Sequence, residues 1–142
     1  MSVSDTLLPI DVSADPRSEG VVTLTLTQGE GRPVVVLDSD LLKAIDATLD
    51  HVEREHGDAM TGLVLASAAP RSFVAGANLK EIMDLDDAGL HDYLRFGAKV
   101  FKRFSTMPVT TVAAINHATL GGGLELAMHC DILIGATPDP ER

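Results

Sequence analysis

Apolar residues and threonines alternate strictly over residues 20–27 (GVVTLTLT). Val22, Leu24 and Leu26 fall on one face and Thr23, Thr25 and Thr27 on the other, which predicts a half-buried strand. The stretch from Gly29 to Pro33 ends it. From Asp38 the period changes: Leu41 or Leu42, Ile45, Leu49 and Val52 recur at three- and four-residue steps. With Asp38, Ser39 and Asp40 as candidate N-caps, this predicts an amphipathic helix to about His56. Gly57-Asp58 breaks the helix, and the continuous apolar run 61–66 (TGLVLA) predicts a buried strand, the order of a β-α-β crossover. Residues 67–71 read as a loop and 72–77 (SFVAGA) as a small-residue turn. Asp84, Asp86 and Asp87 cap and solubilise the start of a second helix. That helix carries Leu90, Leu94, Gly97, Phe101 and Phe104 on one face, as core or oligomer contact. Pro108 stops it before a second buried strand over 109–115 (VTTVAAI). Gly121-Gly122-Gly123 then opens a short helical stretch over 124–130, and 131–136 (DILIGA) reads as a last strand. The order is β-α-β-α-β-α-β, an α/β chain, with the first eighteen residues and the last six polar enough to fray.

Composition narrows the possible partners. The chain has 142 residues, 45% of them apolar, enough for one domain with a buried core. Its formal net charge of -10 opposes binding to a polyanion, so a nucleic-acid partner is not expected. Cys130 is the single cysteine, which excludes an internal disulfide and fits a reducing, cytoplasmic compartment. The N-terminal residues lack the basic and apolar regions of a signal peptide, and no apolar run approaches the roughly 18 residues that span a bilayer, so no membrane is expected.

Two segments carry candidate chemistry. In residues 115–131 (INHATLGGGLELAMHCD), three glycines precede a helix and bare its first N–H groups at the positive end of the helix dipole. A triple glycine by itself is an ordinary flexible turn. Here Glu125 follows Gly122 by one helical turn, which puts a carboxylate beside a bared donor. The apolar neighbours Leu124, Leu126, Ala127 and Met128 predict a buried helix, and burial would raise the Glu125 pKa toward a useful range. In residues 72–82 (SFVAGANLKEI), the minimal side chains of Ala75-Gly76-Ala77 free the Ala77 N–H to point into a pocket. Two such donors aimed at a carbonyl that becomes an enolate form an oxyanion hole, each worth about 3–4 kcal/mol in the barrier. Lys80 and Glu81 read equally well as surface charges.

The remaining polar residues have plainer readings. His51 and His56 lie five apart, not at the i, i+4 spacing of a helical metal pair, and no metal site is expected. His117 and His129 flank the glycine segment without an assigned role. Cys130 sits in an apolar run as an inert buried thiol.

SFVAGANLKEI and NHATLGGGLELAMHCD resemble the two signature segments of the crotonase superfamily, the enoyl-CoA hydratases and isomerases. The resemblance implies a spiral of ββα turns, of which this chain carries the front portion. It divides the chain into an extension (1–18), the N-terminal part of the family domain (19–136) and a polar tail (137–142). It implies that the Ala77 and Gly122 N–H groups polarise an acyl-CoA thioester carbonyl. Glu125 matches the first of two catalytic glutamates, and Ala75, Gly76, Leu79, Lys80 and Gly121 fall where the substrate is contacted. CoA then arrives with the substrate, no separate cofactor is needed, and a trimer or hexamer is implied. Asn78 stands where the family commonly has Asp and keeps the local hydrogen bonding. His117 stands where glycine is usual, which costs strain if the position needs φ > 0. The family's second glutamate lies beyond Arg142. Glu141 is too close in sequence, and its tail too polar, to replace it. The implied reaction is reversible hydration of a 2-enoyl-CoA to the 3-hydroxyacyl-CoA in fatty-acid oxidation. Isomerisation or another crotonase reaction, and acyl-CoA binding without turnover, remain open alternatives.

Overall fold

Strand β2 (Val21–Leu26) forms where the alternation predicts, with Val22, Leu24 and Leu26 buried and the intervening residues half-buried. The computed structural model describes residues 10–29 and 31–137. Helix α1 (Ser39–His56) follows with Leu41, Leu42, Ile45, Leu49 and Val52 all buried. Of its candidate caps, Asp38 is the one used: its carboxylate accepts from the Leu41 N–H at 2.8 Å and from Arg32 at 2.8 Å. Strand β3 (Gly62–Ser67) then pairs parallel with β2, Val22 opposite Leu63 and Leu24 opposite Leu65, completing the expected crossover.

The N-terminal expectation needs correction. Residues 10–14 do not fray but form β1 (Ile10–Ala14), antiparallel to β2. Ile10 and Val12 pack against the core while Asp11 and Ser13 face out, a period of two too short to stand out in a polar stretch. Residues 1–9 and the tail 138–142, Glu141 included, lie outside the described residues.

A second correction concerns residues 72–77. The first three form strand β4 (Ser72–Val74), wholly buried, which pairs parallel with a two-residue strand, β6 (Ala118–Thr119). Between them run a short helix α2 (Leu79–Met83), the long helix α3 (Asp87–Thr106) and strand β5 (Thr110–Ile115). Asp86 caps α3 by accepting from the Gly89 N–H at 2.7 Å, the role its acidic start predicts. Arg103 ties α3 to α1 by reaching Asp46 at 2.8 Å, Asp50 at 2.9 Å and Glu53 at 3.4 Å.

Helix α4 (Gly122–Met128) and strand β7 (Ile132–Gly135) complete the described chain. The main sheet has the order β1-β2-β3-β5-β7, parallel except at β1, and the β4–β6 pair forms a second, smaller sheet. Asp131 anchors the start of β7 by accepting from the Thr111 N–H at 2.9 Å. The core lies between the main sheet, α1 and the inner face of α3, with Phe73 and Phe104 its largest members.

Candidate functional site

The small sheet places the two signature segments side by side. Beyond β4, Gly76 turns the chain at φ 111°, a conformation that favours glycine, and its position leaves only 3.2 Å between an added Cβ and the Leu120 carbonyl. Beyond β6, the Leu120 N–H donates to the Val74 carbonyl at 3.1 Å, and α4 begins at once. Gly123 lets α4 lie directly on β4, because a Cβ there would meet the Val74 carbonyl oxygen at 2.4 Å. The three consecutive glycines therefore do different things. Gly121 supplies a positive φ of 50° at the N-cap, Gly122 borders a cavity, and Gly123 permits contact.

That cavity, of about 490 Å³, is lined by Ala77 and Gly122 together with Glu125, His129, Tyr93, Leu94 and Phe101. Its size is that of a small-molecule site. Among the described residues, the N–H groups of Ala77 and Gly122 donate to no protein acceptor. Gly122 is the first residue of α4, where an N–H has no intrahelical partner. Two residues with unspent backbone donors and one glutamate thus line the same cavity.

Glu125 differs from expectation in being exposed rather than buried. In seven helical residues, Gly123, Leu126 and Ala127 take the inward face, which leaves Leu124, Glu125 and Met128 outward. The apolar neighbours that suggested burial lie on both faces. Of the other substrate-contact candidates, Gly76 is buried and Ala75 half-buried, both serving the backbone course, while Leu79 and Lys80 are exposed on α2. Lys80 borders a separate polar cleft with Arg32, Asp40 and Asp84. Glu81, read as a possible surface charge, instead reaches across 42 residues to accept from the Ser39 N–H at 3.2 Å and from its hydroxyl. It therefore fastens α2 to the start of α1. Asn78 keeps its local hydrogen bond, accepting from the Glu81 N–H at 3.3 Å as the cap of α2. His117 bears no left-handed strain, since Glu19 is the only non-glycine with positive φ among the described residues.

Several lining residues were not singled out by the sequence. Leu94 and Phe101, read as core or oligomer contact, line the cavity, whereas Phe104 is core. Tyr93 donates its hydroxyl to the Leu37 carbonyl at 2.8 Å; burial, then the charges of Glu81 and Asp38, push its phenol above the ordinary value. His129 Nδ1 lies 2.8 Å from the Glu125 carbonyl, which can only accept, so Nδ1 carries the proton. Cys130 is buried, and loss of hydration pushes its thiol up to about 11, consistent with an inert sulfur. Among the described residues no cluster of His, Cys, Asp and Glu could hold a metal, and no helix is long and apolar enough to cross a membrane.

A largely parallel sheet with helices packed on it, and a cavity lined by Ala77, Gly122 and Glu125, define an α/β protein with a candidate small-molecule site. The chain matches the enoyl-CoA hydratase/isomerase family over residues 17–138 and belongs to it. It is 33% identical to the short-chain-enoyl-CoA hydratase of Clostridium acetobutylicum over 119 residues, covering 84% of this chain and 44% of that protein. It is also 30% identical to the mitochondrial methylglutaconyl-CoA hydratase of Mus musculus over 123 residues, covering 87% of this chain and 38% of that one. The crystal structure of an enoyl-CoA hydratase from Bacillus anthracis superposes with a TM-score of 0.74 at 27% identity, covering 87% of this chain and 46% of that chain. The crotonase fold expected from the two signature segments is therefore present. The chain spans less than half the length of these relatives.

Proposed function

We propose that the chain is an acyl-CoA-handling enzyme that hydrates a 2-enoyl-CoA reversibly to the 3-hydroxyacyl-CoA. The observation that carries this reading is that Ala77, Gly122 and Glu125 line one cavity, the Ala77 and Gly122 N–H groups being without a protein acceptor among the described residues. The thioester oxygen accepts from both donors, which lowers the cost of the negative charge it gains when C3 is attacked. Glu125 takes a proton from water as the water oxygen bonds to C3. The proton then passes to C2 as the enolate collapses, which returns Glu125 to its carboxylate and balances the reaction. This chemistry needs only proton transfer and a polarised carbonyl, so CoA enters with the substrate and no separate cofactor is invoked.

Two observations favour a second reading, acyl-CoA binding without turnover. Glu125 is exposed and so is Met128 beside it, while two hydrogen bonds polarise a carbonyl strongly only where water is kept out. Crotonyl-CoA hydration, followed by loss of the conjugated absorbance, separates the readings when paired with calorimetry. Turnover that falls roughly 100-fold or more in Glu125→Gln, with binding retained, is the expected result. Turnover indifferent to Glu125→Gln overturns the assignment, and binding with no turnover selects the second reading. A 3-enoyl-CoA gaining conjugated absorbance would instead mark isomerisation.

A further inference from the structure

We propose that Tyr93 is a positioning residue that holds both cavity donors in place through Leu37, an inference that rests on the function proposed above. Leu37 lies between the two signature segments and touches each. Its N–H donates to the Gly76 carbonyl at 2.8 Å, and it bridges Ala77 in parallel. Its side chain ends 3.3 Å from where a Cβ on Gly122 would stand. Leu37, Ala77, Gly122 and Tyr93 all line the same cavity.

The peptide plane turns these contacts into an orientation. The Gly76 carbonyl and the Ala77 N–H belong to one planar trans unit, so they point in opposite directions. Fixing the carbonyl against Leu37 therefore aims the Ala77 N–H the other way. Gly76 itself, at φ 111°, has the freedom to let that plane rotate, so the aim depends on what grips it. Leu37 is the grip, and its own carbonyl is held by the Tyr93 hydroxyl at 2.8 Å from a helix 56 residues away. On the other side, the Leu37 side chain fills the space against Gly122 and backs the first turn of α4. One tyrosine hydroxyl thus secures a residue that touches both segments.

Tyr93→Phe removes the hydroxyl and keeps the ring in the cavity wall. Two readouts distinguish positioning from bulk structure. The first is the absorbance of bound cinnamoyl-CoA, whose conjugated band moves to longer wavelength when its carbonyl accepts hydrogen bonds. Wild type is expected to show the red shift and Tyr93→Phe to lose most of it, with binding affinity within about twofold. In the hydration assay kcat is expected to fall about tenfold with KM little changed, less than the roughly 100-fold for deleting a donor. The second readout, which needs no ligand, is amide hydrogen exchange at Leu37, expected to accelerate in Tyr93→Phe. An unchanged red shift together with unchanged Leu37 exchange overturns the proposal. Absence of any red shift in wild type overturns the oxyanion assignment instead. Leu37 exchange then still decides whether Tyr93 anchors that backbone.

Discussion

Strands β3 and β7 lie in the same parallel sheet and are both rich in apolar residues, yet their surroundings are opposite. In β3, Leu63 and Leu65 are each 1% exposed; in β7, Ile132 is 48% and Ile134 59% exposed. β3 has β2 on one side, β5 on the other and helix α1 in the core beside it. Among the described residues β7 pairs with β5 alone. The lesson is that an apolar run records what a strand needs, while neighbours decide whether the need is met. The candidate site combines both kinds of surroundings: Ala77 follows the buried β4, and Gly122 with the exposed Glu125 belongs to α4.

The largest test of the contrast is Phe73→Ala in the closed half. It should cost about 3–5 kcal/mol in denaturant unfolding, because the ring is fully buried and a cavity would remain. A second test uses Cys130, whose thiol titrates at about 11 in the folded chain against an ordinary value of 9.0. The unfolded chain loses that proton first, so stability should decline as pH rises from about 9 through 11, by about 2–3 kcal/mol in the limit. Cys130→Ala should flatten that decline. Gly123→Ala, whose new Cβ would collide with the Val74 carbonyl oxygen, should cost about 1–3 kcal/mol and displace α4, visible as shifted amide resonances for Gly122. The smallest change in stability, within about 0.5 kcal/mol, is expected for Ile134→Lys on the open edge. The same substitution should lower concentration-dependent association in sedimentation, because a charge blunts an exposed edge strand. A cost there equal to that of Phe73→Ala would erase the distinction between the two regions.

Long periodic segments were legible in the sequence. Helix α1 has its cap at Asp38 and its end at His56, and β2, β3 and β5 lie within one residue of the ranges 20–27, 61–66 and 109–115 that alternation or apolar runs predict. Each contains enough residues for its period to repeat. Strands β4 and β6, of three and two residues, were not legible, because no period can be counted in them. The glycine segments announced a site, but the division of labour among Gly121, Gly122 and Gly123 depends on where Val74 and Leu37 lie in space. Glu125 was misjudged for a related reason: a seven-residue helix with apolar side chains on two faces does not reveal which face is inward. Tyr93, Glu81 and Arg103 act across tens of residues, and distance of that kind leaves no local trace.

The main sheet has one property with a consequence for how the molecule comes into being. Its strands stand in the order in which they occur along the chain, β1-β2-β3-β5-β7, the absent numbers having gone to the smaller sheet. Each strand leaving a ribosome can therefore dock on the edge formed by the one before it, without prying apart a pair already made. Synthesis and assembly then run in the same direction.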